Sequence, residues 1–89
     1  MNAEIEKRLC CAENRQHFVK EMTEILAPYG LVKRSRLSVK EKDSGAEANC
    51  FVEMETPEQA YEAKKGLNLP LLGGNHLFFS VQLKTGFME

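Results

Sequence analysis

The stretch from Ala48 to Glu55, followed at once by Thr56-Pro57-Glu58-Gln59, constrains this chain more than any other feature. Cys50, Val52 and Met54 alternate with Asn49, Phe51 and Glu53, the two-residue repeat of a strand with one buried and one open face. The strand runs straight into a helix start. Thr56 suits the cap, Pro57 the first helical position, and Gln59 completes a capping box. Ala60, Ala63 and Leu67 then form a narrow apolar stripe, and small alanines let a helix lie close to a sheet.

Four other periodic segments can be read around this pair. From about Lys7 to Ala12, Leu9 and Cys11 alternate with Arg8 and Cys10, which reads as a short strand. Asn14 is a good cap for a helix running to about Ala27. There Phe18, Met22, Ile25 and Leu26 share one face, and Lys20 and Glu24 make a polar-face pair. Pro28 and Gly30 end it. Leu31 to Lys40 alternates as a strand, but its phase slips between Val32 and Leu37, which predicts a bulge near Arg34. Lys40 to Glu47 reads as a polar loop containing Gly45. Pro70 to Asn75 reads as a turn around Gly73-Gly74. The last strand is His76 to Leu83, with Leu77, Phe79, Val81 and Leu83 inward and Phe78 and Ser80 outward.

Strand, helix, strand, strand, helix, strand has one economical packing. Two βαβ units share a sheet, and both helices cover one face. Right-handed crossovers then put the first and third strands in the middle. The expected fold is therefore α+β: a ferredoxin-like βαββαβ sandwich with a four-stranded antiparallel sheet and two helices on one face. Its 89 residues suffice for a single domain, 1–89, with a core at about 7–84.

Charge limits the function. Twelve Lys and Arg stand against thirteen Asp and Glu, a formal net charge of −1. Nucleic-acid binding draws much of its affinity from phosphate neutralisation. Any such binding here must rely on a local patch and is expected to be weak. No apolar run approaches the roughly 20 residues of a membrane span, and the N-terminus lacks a signal-peptide core. The cysteines Cys10, Cys11 and Cys50 form neither a disulfide framework nor a C-x-x-C zinc spacing. They read as reduced thiols of an intracellular protein, nuclear or cytoplasmic.

Several stretches resemble the RNA recognition motif (RRM) family. Cys50-Phe-Val-Glu-Met-Glu-Thr-Pro-Glu-Gln-Ala60 is similar to its third strand and second helix. Leu72-Gly-Gly-Asn-His-Leu-Phe-Phe resembles the turn into its last strand. Tyr29-Gly30 matches the aromatic-Gly pair that closes its first helix. The resemblance covers about residues 7 to 84 and implies binding of single-stranded RNA through the open sheet face. The family's central strand usually reads K/R-G-F/Y-G/A-F-V-x-F/Y. Here that segment is Glu47-Ala48-Asn49-Cys50-Phe51-Val52-Glu53-Met54. Glu47 replaces the basic first position, Asn49 the first exposed aromatic, and Phe51 is kept. In the first strand Cys10 falls where the family presents an aromatic. Two of the three usual stacking residues are thus missing, and a base platform depends on such rings.

The candidate RNA-facing residues are therefore Phe51, Asn49, Phe78, Arg36, Cys10 and Lys40. Phe51 and Phe78 either stack bases or cover the sheet against a terminus or partner. Asn49 can hydrogen-bond a base edge. Lys33-Arg34-Ser35-Arg36 reads as a solvated edge or a phosphate clamp. The alternative function is a protein-interaction or dimerisation module that has lost RNA binding. One peptide-binding subclass of the family carries Arg-x-Phe before the last strand, where this chain has Asn75-His76-Leu77. His17 and His76 are expected far apart, with no metal set around them. No Ser/His/Asp set, phosphate-cradling loop or carboxylate pair suggests an enzyme. No cofactor, membrane partner or small-molecule substrate is expected.

Overall fold

The computed structural model describes residues 2–43 and 45–88. It contains three helices and four strands in the order α1 (Ala3–Cys10), α2 (Arg15–Leu26), β1 (Val32–Lys42), β2 (Gly45–Met54), α3 (Pro57–Leu67), β3 (Leu71–Gly73) and β4 (His76–Leu83). The strands form one sheet in the order β1-β2-β4-β3, and every neighbouring pair is antiparallel. The four-stranded antiparallel α+β arrangement agrees with expectation. The order βαββαβ does not, and the helices number three rather than two.

The difference lies in the first segment. Residues 7–12, expected as a strand, belong mostly to helix α1. Ile5 and Leu9 are four residues apart, so a helix puts both on one side, and Leu9 is buried in the core with Ile5 packed against it. The Asn2 side chain caps the helix by accepting from the Glu4 N–H at 2.8 Å. Glu4 and Glu6 lie in the first turn and Lys7 and Arg8 in the last, the arrangement that the helix dipole favours. Arg8 also reaches α2, pairing with Glu21 and, at 3.5 Å, with Glu24. With no strand from this segment, β4 pairs directly with β2.

The other elements follow their local chemistry. The Asn14 side chain caps α2 by accepting from the His17 N–H at 2.8 Å. Phe18, Met22, Ile25 and Leu26 are its buried face. Gly30 (φ +148°) closes the turn after α2, where a Cβ would run into the Gln59 side chain. The bulge in β1 falls between Val32 and Arg34, where the phase slips. The expected loop 40–47 is shorter: Lys40–Lys42 and Gly45–Glu47 pair across β1 and β2. Ser44 lies outside the described residues. At α3, Thr56 Oγ1 accepts from the Gln59 N–H at 3.2 Å, but the box is only half made. The Gln59 side chain packs over Gly30 instead, and its Oε1 is buried without a hydrogen-bond partner.

The stretch 70–75 holds the Gly73-Gly74 turn and also the short strand β3. A three-residue strand carries too little alternation to be read as one. A single core joins Val52 and Met54 of β2 with Leu77, Phe79 and Val81 of β4 and with the buried faces of all three helices. The outermost strand β1 is tied to α2 by the Arg15 guanidinium, which donates to the Leu37 carbonyl at 2.7 Å.

Candidate nucleic-acid interface

Antiparallel register aligns the outward side chains of β1, β2 and β4 into rows. Arg36, Phe51 and Phe78 form one row, and Ser38, Asn49 and Ser80 the next. Lys40, Glu47 and Gln82 form a third, and Arg34, Glu53 and His76 a fourth on the other side of the aromatic row. The alternate residues of β2 and β4 are buried in the core with the helices, so the helices leave this face open.

The aromatic row is the main apolar feature. The Phe51 and Phe78 ring centroids lie 4.8 Å apart with planes tilted by 45°. Phe51 is 43% exposed and Phe78 half-buried. Leu72 follows half-buried Leu71 in β3 and is 59% exposed. In the next row Ser80 Oγ donates to Asn49 Oδ1 at 2.8 Å. That bond holds the Asn49 amide in place, and its NH2 group has no partner among the described residues.

The charges on this face are unevenly engaged. Glu53, with only 16% of its side chain exposed, is ringed by Arg34 at 3.1 Å, Lys33 at 3.7 Å and His76 at 3.8 Å. Asn75 Nδ2 lies 3.4 Å from the same carboxylate and donates to the Met54 carbonyl at 2.6 Å. Burial works to raise the Glu53 pKa. Arg34, the Asn75 hydrogen bond, Lys33 and His76 together outweigh it and hold the carboxyl below its ordinary range. Glu47 pairs with Lys42 at 3.1 Å. Arg36 and Lys40 have no acidic partner among the described residues.

Of the six residues expected here, the sheet brings together Phe51, Asn49, Phe78, Arg36 and Lys40. Cys10 is not among them. It ends α1, because the segment that was to carry it into the sheet is helical. Sequence reasoning missed the direct pairing of β2 with β4, which sets Phe78 against Phe51. The outward placement of Phe78 was legible from alternation; its neighbour was not. His17 lies on α2 and His76 on β4. Among the described residues no group of three His, Cys, Asp or Glu is placed to hold a metal ion, and no helix is long and apolar enough to cross a membrane.

A family model described as RNA recognition motif matches residues 20–77, more than half of the chain. The match begins inside α2, after the segment that forms α1 instead of a strand. No curated protein and no solved structure gives a significant match.

Proposed function

Because the chain belongs to the RNA recognition motif family, we propose that it is a non-catalytic module binding single-stranded RNA through the open faces of β1, β2 and β4. Residues 1–89 act as a single RRM-like domain of an intracellular protein. The observation that carries this reading is the Phe51–Phe78 pair. The family draws part of its base platform from the first strand. Here that segment is α1, and β4 stands beside β2 with Phe78 in reach of Phe51. Two neighbouring rings give a base or two a place to stack, worth about 1–3 kcal/mol per base.

The rest of the face supplies orientation and modest charge. The Asn49 NH2 donates to an acceptor on a base edge. Arg36 and Lys40 meet phosphates, while Glu53 and Glu47 engage the other cations of β1. Two phosphate contacts make weak binding with a shallow salt dependence. The second reading is a protein-binding or self-associating face, favoured by the exposure of Leu72 on the neighbouring strand β3.

An NMR titration with pools of short single-stranded RNA, run alongside a measurement of oligomeric state, tests both. RNA binding shifts the amides of Asn49, Phe51, Phe78 and Ser80 in a saturable way. If those amides stay still at low salt, the RNA reading fails. Self-association lost on Phe51→Ala then supports the second.

A further inference from the structure

We propose that Cys10 and Cys11 form a two-thiol site that captures trivalent organoarsenicals and ligands of the same coordination demand. The site lies on the helical layer, apart from the Phe51–Phe78 face. Cys10 is the last residue of α1 and Cys11 its cap, and their Sγ atoms stand 3.8 Å apart. Cys11 is exposed and Cys10 half-buried. Cys10 lines a shallow groove between Ala3 and Lys7 of α1 and Leu83 and Lys84 at the end of β4. Lys84 N–H donates to the Cys10 carbonyl at 3.0 Å, which fixes the backbone under the pair.

The spacing suits one central atom bonded to both sulfurs. Bonds of about 2.3 Å, as in thiolate–zinc sites, give this spacing at a tetrahedral angle, and the narrower angle of pyramidal arsenic asks only for a small rotation of the exposed Cys11 side chain. A disulfide within the pair is disfavoured. Adjacent Cα atoms are about 3.8 Å apart, short of the roughly 4.4–6.8 Å that disulfides span. No third His, Cys, Asp or Glu completes a metal set among the described residues. The fitting ligand is therefore a soft centre that two sulfurs satisfy. Burial pushes the Cys10 thiol up, and Cys11 and Glu6 add to it. Cys10 is held as a thiol, so the ligand must displace its proton.

Phenylarsine oxide is a suitable probe. Two As–S bonds form, the arsenic–oxygen bond breaks, and the oxide leaves as water with the two thiol protons. No atom changes oxidation state. Under native conditions the intact mass should show one phenylarsenic per chain, with two fewer thiols open to maleimide. Cys10→Ser and Cys11→Ser should each lose the adduct on dilution, and Cys50→Ala should keep it. The wild-type mass and thiol count need no variant, so a misfolded mutant does not blunt the test. No adduct on the native wild type, or an adduct that survives in Cys11→Ser, overturns the proposal.

Discussion

Phe51 and Phe78 are direct partners across β2 and β4, with ring centroids 4.8 Å apart. Each ring therefore limits the freedom of the other, and a base stacking on one meets the edge of its neighbour. Phe51→Ala should weaken single-stranded RNA binding by about 5- to 150-fold, from roughly 1–3 kcal/mol of stacking. Phe78→Ala should fall in the same range. Because the rings touch, the double variant should lose less than the product of the two single losses. Fluorescence anisotropy on all four proteins measures this. Full multiplicativity would show that the rings act as separate platforms.

Glu53 engages Arg34, Lys33 and His76. With Arg36 and Lys40 alone on phosphate, log K should fall with log salt at a slope of about −1.4, from roughly −0.7 per contact on a single strand. Glu53→Gln should release Arg34 and Lys33, raise affinity at low salt and steepen the slope toward about −2.8. An unchanged slope would mean that these two cations stay off the RNA path.

Val52 is 1% exposed in β2, between the helical layer and the strands beside it. Val52→Asp places a carboxylate there with no partner. Domains of this size hold only about 5–15 kcal/mol of stability, and an unpaired buried charge consumes much of it. Circular dichroism should show loss of cooperative melting.

Half of the expected capping box is present at α3, and this separates two substitutions. Thr56→Ala removes the acceptor for the Gln59 N–H and should cost about 1 kcal/mol in denaturant titration. Gln59→Leu removes a buried oxygen that lacks a partner, so it should be nearly neutral or stabilising. A loss at Gln59 equal to that at Thr56 would indicate a complete box in solution.

The joint between α1 and α2 should make stability depend on acid. The Arg8 hydrogen bond, with help from the Arg8 charge and His17, holds the Glu21 carboxyl below its ordinary range against the opposing effect of burial. A carboxyl lowered in the folded state stabilises above the ordinary glutamate value, and that contribution disappears as pH falls through the folded value. Wild type should therefore exceed Glu21→Gln in melting temperature at neutral pH and converge with it in acid. A gap that persists at low pH would point to packing instead of charge.

The sequence made the middle of the chain legible because burial there leaves a two-residue or a 3.6-residue signature. The outward Asn49 and Phe51, the Thr56 start and the slip at the head of β1 could all be read without coordinates. The first segment could not, because Leu9 satisfies two periods. Paired with Cys11 it alternates like a strand; paired with Ile5 it sits on a helix face. The Asn2 cap and the order of charges from Glu4 to Arg8 favour the helix, and a window beginning at Lys7 leaves most of them out. The error carried forward to Cys10 and to the neighbour of Phe78. Pairing between distant strands is a property of the whole sheet, and the local pattern around Phe78 fixes only which way its ring points.

The Arg15 guanidinium on the Leu37 carbonyl has a meaning beyond its single bond. β1 spans eleven residues at the margin of the sheet, and a long margin is a template on which stray chains can zip. Cations at Lys33, Arg34, Arg36, Lys40 and Lys42 repel an identical strand along its length. Arg15, reaching over from α2, occupies one of the acceptors that such a strand would need. The same basic strand that the proposed function turns toward RNA thus also discourages pairing with a stray chain in a crowded solution.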